Sequence, residues 1–134
     1  MPPFPPLPRS FHFLELPAEY RDDAALVLRL PRSIRSKQKL FAVLADKLRF
    51  PTYFGHNWDA LEECLRDLSW LPEMQSIAIV HEDLPFGPNS ENRRAYLQIL
   101  RSAAEAAAAR GRAVSIVLPA SLRDQISPSA TAPR

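Results

Sequence analysis

The sequence predicts an α/β domain in which a three-stranded parallel sheet is packed against helices. Two observations lead to this fold class. Three short apolar runs have the composition of buried strands, and the segments between them repeat apolar residues at helical spacing. Parallel strands need long crossover connections, which are usually helices. At 134 residues the chain has the length of one domain.

Each predicted element has a local signal at one or both of its ends. In chain order we predict a strand over 25–30, a helix over 38–49, a helix over 57–69, a strand over 76–81, a helix over 90–110 and a strand over 113–118. Pro31 ends the first strand, and Pro51 follows the first helix, because proline continues neither element. The last helix is rich in alanine, and Gly111 suits its C-terminus.

The regions outside these elements divide the chain into three parts. Residues 1–24 are predicted to be a proline-rich, partly disordered extension, since five prolines fall within the first ten residues. Within it, residues 11–24 are compatible with either a short edge strand or an ordered arm. The domain itself is predicted over residues 25–118. Residues 119–134, rich in Ser, Ala and Pro, are expected to be a flexible tail.

Several classes of function are disfavoured by the composition. No run of about 20 apolar residues is present to span a membrane, and the proline-broken N-terminus lacks a signal peptide's apolar core. A single cysteine permits no internal disulfide. Together these features predict a cytoplasmic protein.

Catalytic and cofactor chemistry is also disfavoured. Cys64 falls on the apolar side of a predicted helix, so we expect a buried thiol rather than a nucleophile. His12, His56 and His81 lie on separate segments without the spacing of metal ligands. With only three glycines, the chain also has no glycine-rich phosphate loop. We therefore expect no enzyme activity, no metal and no cofactor.

The charges are segregated along the chain although the net charge is only +2. Residues 29–49 contain seven cations against Asp46 alone, and residues 59–83 contain seven carboxylates against Arg66 alone. The basic run favours contact with nucleic acid as one alternative. Its only aromatic residue is Phe41, which the core needs, so no stacking surface for bases is visible. Nucleic-acid binding is therefore the less favoured alternative.

The helix over 57–69 has two sharply different faces. Its apolar residues recur at helical spacing, and they are Trp58, Leu61, Cys64, Leu65 and Leu68. The carboxylates fall on the other side, and they are Asp59, Glu62, Glu63 and Asp67. Like charges so close together repel and cost stability, although acids near a helix N-terminus are favoured. Composition alone is compatible with two interpretations of the acidic face. It is either an ordinary solvated surface or a binding patch for a cation-rich partner.

The residue pattern of this segment resembles the signature of the barstar family, whose members are small intracellular protein inhibitors of secreted bacterial ribonucleases. The matching residues, in register, are Pro51, Tyr53, Gly55, Asn57, Asp59, Ala60, Leu61 and Cys64. The resemblance is strongest over 50–65 and extends more loosely over 25–118. It implies a three-stranded parallel sheet with helices packed on it, and a protein that fills a cationic active site with carboxylates.

The resemblance also implies roles for individual residues. Tyr53 corresponds to an aromatic contact residue, and Gly55 allows the backbone to approach the partner. Asp59 matches an inhibitory aspartate, and Glu63 stands where the family's dominant aspartate stands. Glu62 replaces a tryptophan of the well-known member. The full set of expected partner-binding residues is Tyr53, Gly55, His56, Asn57, Asp59, Glu62, Glu63 and Asp67.

Two departures from the family pattern affect the expected target. An acidic contact position on the last helix falls at Ala106, with Glu105 beside it, and the net positive charge differs from the acidic character of the known inhibitor. The sequence still predicts an inhibitor, or immunity protein, for a cationic bacterial ribonuclease, either the host's own secreted enzyme or a toxin domain. A barstar-like adaptor or nucleic-acid-associated module without nuclease inhibition is the alternative.

Overall fold

The computed structural model describes residues 11–52, 54–88 and 90–123, and in these ranges the chain forms four strands and three α-helices. In chain order they are β1 Phe11–Leu14, β2 Ala25–Leu30, α1 Lys37–Leu48, α2 Trp58–Asp67, β3 Ser76–His81, α3 Glu91–Ala109 and β4 Val114–Pro119. Short 3-10 helices cover Pro17–Glu19 and Ala120–Leu122. The predicted α/β class with a parallel sheet is confirmed. Within the described ranges no helix is long and apolar enough to cross a membrane.

The sheet has four parallel strands in the order β1-β4-β3-β2, so the predicted number of three is wrong by one. The additional strand is β1, which pairs with β4 from Phe11↔Ile116 to Leu14↔Pro119. This edge strand is one of the two alternatives that the sequence left open for residues 11–24. A segment of only four residues carries little strand signal by itself. The stabilising pairing comes from a strand about a hundred residues later in the chain.

The side of the sheet that faces the helices forms the main core. Leu28 and Leu30 of β2, Ile77 and Ile79 of β3, and Ile116 of β4 are almost completely buried there with the apolar sides of the helices. These residues alternate along each strand, as the pleat of a sheet requires. Parallel sheets are normally covered on both faces, so the other face also needs a cover.

The second face of the sheet is covered by the connection between β1 and β2. Its buried residues are the alternate positions Ala78, Val80 and Val117. The 3-10 helix Pro17–Glu19 lies against β3 and β4. The guanidinium of Arg29, which shares this face, donates hydrogen bonds to the carbonyls of Ala18 and Tyr20. The connection therefore passes across the sheet from one edge to the other.

The helix boundaries agree with the predicted ones to within one or two residues. Each α-helix has a hydroxyl or amide cap, and these caps are Ser36, Asn57 and Ser90. The largest difference is at the end of α2, where Leu68 takes a left-handed conformation with φ 51° and stops the helix at Asp67. The buried side chain of Leu68 holds that turn in place.

Part of the region predicted to be a flexible tail belongs to the folded structure. Pro119 is the last residue of β4, and residues 120–122 continue as a 3-10 helix. The guanidinium of Arg123 lies 4.9 Å from the centre of the Phe13 ring on β1. The proline-rich residues 1–10 and the tail residues 124–134 lie outside the described residues.

Candidate functional site

Helix α2 presents the two faces that its sequence predicts. Leu61 and Leu65 are almost completely inaccessible to solvent, and Cys64 is buried beside them. On the opposite side Asp59 and Glu63 are exposed, while Glu62 and Asp67 are half-buried. The helix is therefore anchored to the core by one face and displays carboxylates on the other.

A cluster of aromatic rings fixes the loop that enters α2. The ring of Phe54 is buried, with its centre 4.9 Å from that of Phe50 and 6.0 Å from that of Phe41. The Trp58 ring centre lies 5.1 Å from that of Phe41. Trp70 closes the cluster against Phe50, and its indole N–H donates to the Leu48 carbonyl at 2.9 Å. Because these rings are held by the core, the loop residues Gly55, His56 and Asn57 between Phe54 and Trp58 have defined positions.

The predicted contact residues of this loop have different environments. Tyr53 lies outside the described residues. Gly55 is exposed, and a Cβ there would lie 3.5 Å from Asn57 Nδ2 and 3.6 Å from Ala60 Cβ, which is ordinary contact. His56 is exposed with φ 55°, and its ring centre lies 4.7 Å from that of Phe54. Asn57 caps α2, because its Oδ1 accepts a hydrogen bond from the Ala60 N–H at 2.8 Å.

The four carboxylates of α2 are not equivalent. Glu62 accepts a hydrogen bond from the Ser102 hydroxyl at 2.8 Å, and Ser102 accepts one from Arg66 Nη1 at 2.6 Å, so Glu62 is tied to α3. Neither Asp59 nor Glu63 has a hydrogen-bond or ion-pair partner within the described part of the chain. These two are the exposed carboxylates without a partner, one helical turn apart. The carboxylate of Asp67 also has no hydrogen-bond or ion-pair partner among the described residues, but it is half-buried.

A shallow depression of about 550 Å³ brings the charged residues of α2 together with one residue beyond α3. Its lining residues are Asp59, Glu62, Glu63, Arg66, Asp67 and Arg110. We call these six residues the α2 surface. Four of the eight predicted partner-binding residues belong to it, whereas Gly55, His56 and Asn57 lie on the loop before it.

Two arginines from outside α2 bind its C-terminal end. Arg110 Nη1 donates to the carbonyl oxygens of Arg66 at 2.5 Å and Asp67 at 3.0 Å. Arg112 donates to the carbonyls of Gln75 at 2.8 Å and Leu68 at 3.4 Å. Cations are favoured at a helix C-terminus, where carbonyl groups lack partners. The sequence did not reveal this role, since both arginines follow α3 and reach α2 only in the folded chain.

The thiol of Cys64 has the properties of a core group. Burial raises its pKa, and the negative charges of Asp67 and Glu63 raise it further. The thiol is therefore protonated at neutral pH and a poor nucleophile. Its position on the buried face agrees with the prediction from the sequence.

A buried histidine and a buried tyrosine form a polar pair between β3 and α3. His81 and Tyr96 are both completely inaccessible to solvent. His81 Nδ1 lies 3.0 Å from the Val117 carbonyl oxygen, which accepts only, so Nδ1 carries the proton. Nε2 then accepts from the Tyr96 hydroxyl at 2.7 Å. Burial lowers the pKa of His81 to about 4 and raises that of Tyr96. His81 is therefore neutral at pH 7.

The basic run is partly used inside the protein. Arg29 binds backbone carbonyls, and Arg32 Nε donates to Glu82 Oε1 at 3.1 Å. Arg35, Lys37 and Lys39 are exposed. Among the described residues no group of three or more His, Cys, Asp or Glu side chains is arranged to hold a metal ion.

The fold and this surface define a class of protein, namely a small α/β domain that displays an acidic helix. The family model for Barstar (barnase inhibitor) matches residues 25–119, more than half of the chain, so the chain belongs to the barstar family. The resemblance seen in the sequence is thereby confirmed. The description of the family is that of an inhibitor rather than an enzyme. A comparison with curated proteins found no significant match. Strand β1 lies outside the matched residues.

Proposed function

We propose that this protein binds a cationic ribonuclease and blocks its active site with the α2 surface. The observation that carries the proposal is the exposure of Asp59 and Glu63 without partners in the described structure. Membership of a family described as barnase inhibitors supports it. A ribonuclease must hold phosphates with cations, and a carboxylate placed among those cations satisfies them without offering a bond to cleave.

The geometry of α2 is suited to this role. Residues four apart on a helix have Cβ atoms about 5–6 Å apart, so both carboxylates fit within one cationic cleft. The apolar face of the helix is held by the core, and the loop before it by the aromatic cluster. Little backbone conformational entropy is therefore lost when the surface binds. Opposite charges on the two proteins also speed their encounter.

The cellular role follows from the same proposal. The target is either a ribonuclease that the host itself secretes or the toxin domain of a competitor, and binding in the cytoplasm protects the host's RNA. Gly55, His56 and Asn57 contribute contacts beside the α2 surface, together with Tyr53. No cofactor takes part, and nucleic acid is not the partner.

The test replaces each of the two exposed carboxylates singly. Asp59→Ala and Glu63→Ala are each expected to weaken binding to barnase by several kcal/mol, which is the range known for charged residues of barnase and barstar themselves. Isothermal titration calorimetry gives the affinity. Thermal unfolding should change little, since each substitution relieves repulsion between carboxylates. For Asp59 this gain offsets the loss of a favourable negative charge in the first turn of α2.

The matched control is Asp46→Ala, which removes an exposed carboxylate from α1. It should leave the affinity within about threefold, as expected for a charge outside the interface. Equal binding of barnase by the wild-type protein, Asp59→Ala and Glu63→Ala would contradict the assignment of the α2 surface.

A further inference from the structure

The α2 surface contains two cations as well as four carboxylates. Arg66 and Arg110 line the same depression and are exposed. Their guanidinium groups are held in place, Arg66 by the Ser102 hydroxyl and Arg110 by two backbone carbonyls of α2. A partner that meets this surface therefore meets two fixed positive charges at the C-terminal end of α2, beside the half-buried carboxylate of Asp67, and the exposed carboxylates of Asp59 and Glu63 nearer its N-terminal end.

The way in which Arg110 is held leaves part of its guanidinium available. Both of its hydrogen bonds are made by Nη1. Nε and Nη2 have no hydrogen-bond partner among the residues that the structure describes. The Nε–Nη2 edge of a guanidinium is a fork that binds both oxygens of a carboxylate. Arg66 is in the same situation, because only its Nη1 is used.

We propose that Arg110, together with Arg66, determines specificity by binding a carboxylate that the partner carries beside its cationic active site. This inference rests on the proposed function and adds to it the charge layout of the partner. A nuclease that is cationic over the whole contact area is repelled by the two arginines. A nuclease with an acidic side chain at the matching position is favoured, so the surface combines attraction with selection against other partners.

The experiment measures whether removal of the Arg110 side chain weakens or strengthens binding to a ribonuclease. The probes are barnase and a set of related small secreted ribonucleases, and the one that the wild-type protein binds most tightly is carried forward. Arg110→Ala is expected to weaken this complex by about tenfold or more, because a bidentate charged pair is lost. If Arg110 only faced cations, the same substitution would remove a repulsion and strengthen binding.

Two further variants separate the contact from the fold. Arg110→Lys keeps the charge but not the fork, so it should recover only part of the lost affinity. Lys39→Ala is the matched control, since it removes an exposed cation from α1 and should change the affinity by less than about threefold. The thermal midpoint of each variant shows whether loss of the α2 carbonyl bonds has disturbed the fold.

The outcomes distinguish this inference from the proposed function. Unchanged or tighter binding by Arg110→Ala, with binding still lost in Asp59→Ala and Glu63→Ala, would overturn the role of Arg110 alone. Failure of the wild-type protein to bind any of the ribonucleases would overturn the proposed function and this inference with it. Weaker binding at an unchanged thermal midpoint supports both.

Discussion

Acidification is expected to destabilise this protein through one buried histidine. His81 is completely inaccessible to solvent and neutral, with Nδ1–H donating to the Val117 carbonyl and Nε2 accepting from Tyr96. Its pKa is lowered to about 4, chiefly because burial disfavours the charged imidazolium. The unfolded chain has no such restriction, so its histidine takes up a proton near pH 6.5.

The sign and size of the effect follow from these two pKa values. Between about pH 6.5 and pH 4 the unfolded state binds a proton that the folded state does not, so the free energy of unfolding falls as the pH falls. The stabilisation is fully present above pH 6.5 and is lost progressively down to about pH 4. The difference amounts to roughly 3 kcal/mol, at about 1.4 kcal/mol for each pH unit. A small domain has a total stability of only about 5–15 kcal/mol, so this loss is large.

The assay is urea unfolding at a series of pH values between 7 and 4. Carboxylates also titrate in this range, and a double variant separates their contribution from that of His81. His81→Leu with Tyr96→Phe removes the imidazole and the hydroxyl together, so neither group is left buried without the other. The Val117 carbonyl loses the bond from His81 at every pH, so this loss does not change the difference in stability between pH 7 and pH 4. The wild-type protein should lose roughly 3 kcal/mol more than the double variant between pH 7 and pH 4.

Equal pH dependence of the wild-type protein and the double variant would refute this reasoning. It would mean that His81 takes up its proton in the folded state as readily as in the unfolded chain. A direct check is the NMR titration of the His81 ring, which should show no protonation above about pH 5. Protonation of that ring near pH 6.5 in the folded protein would contradict the buried, neutral state.

Three further predictions concern the core, the cap of α2 and the basic run. Cys64→Ser should lower the free energy of unfolding by about 1–3 kcal/mol, because it buries a hydroxyl. In the folded wild-type protein Cys64 should react slowly with iodoacetamide, and fast alkylation that abolishes binding without unfolding would contradict this prediction. Asn57→Ala should cost about 1 kcal/mol in thermal unfolding because the Ala60 N–H loses its acceptor, whereas Asn57→Asp should keep most of that stability; equal losses in both variants would count against the cap. No appreciable RNA binding is expected at physiological salt in fluorescence anisotropy, and sub-micromolar, salt-sensitive binding that is lost on reversing Arg35 and Lys39 would favour the nucleic-acid alternative.

The sequence by itself determined the elements whose signals are local. The periodicity of Leu61, Leu65 and Leu68 placed the apolar face of α2, and it also placed Cys64 in the core. Proline, glycine and capping residues set the element ends to within one or two residues. The periodicity of a helix or strand and the residues that end it are local features of the sequence. Long connections between apolar runs favour a parallel sheet, because parallel strands need crossovers. The signature around α2 was enough to recognise the family.

The tertiary structure decided the features that depend on distant partners. The strand β1 exists because β4 offers it a free edge, and four residues do not encode that pairing. The neutral state of His81 requires Tyr96 and the Val117 carbonyl, each contributed by another element. The different environments of Glu62 and Glu63, adjacent in the sequence, arise because Ser102 of α3 reaches only the first. Hydrogen bonds and desolvation act over a few ångströms, so the environment of a charged side chain depends on which elements fold against it.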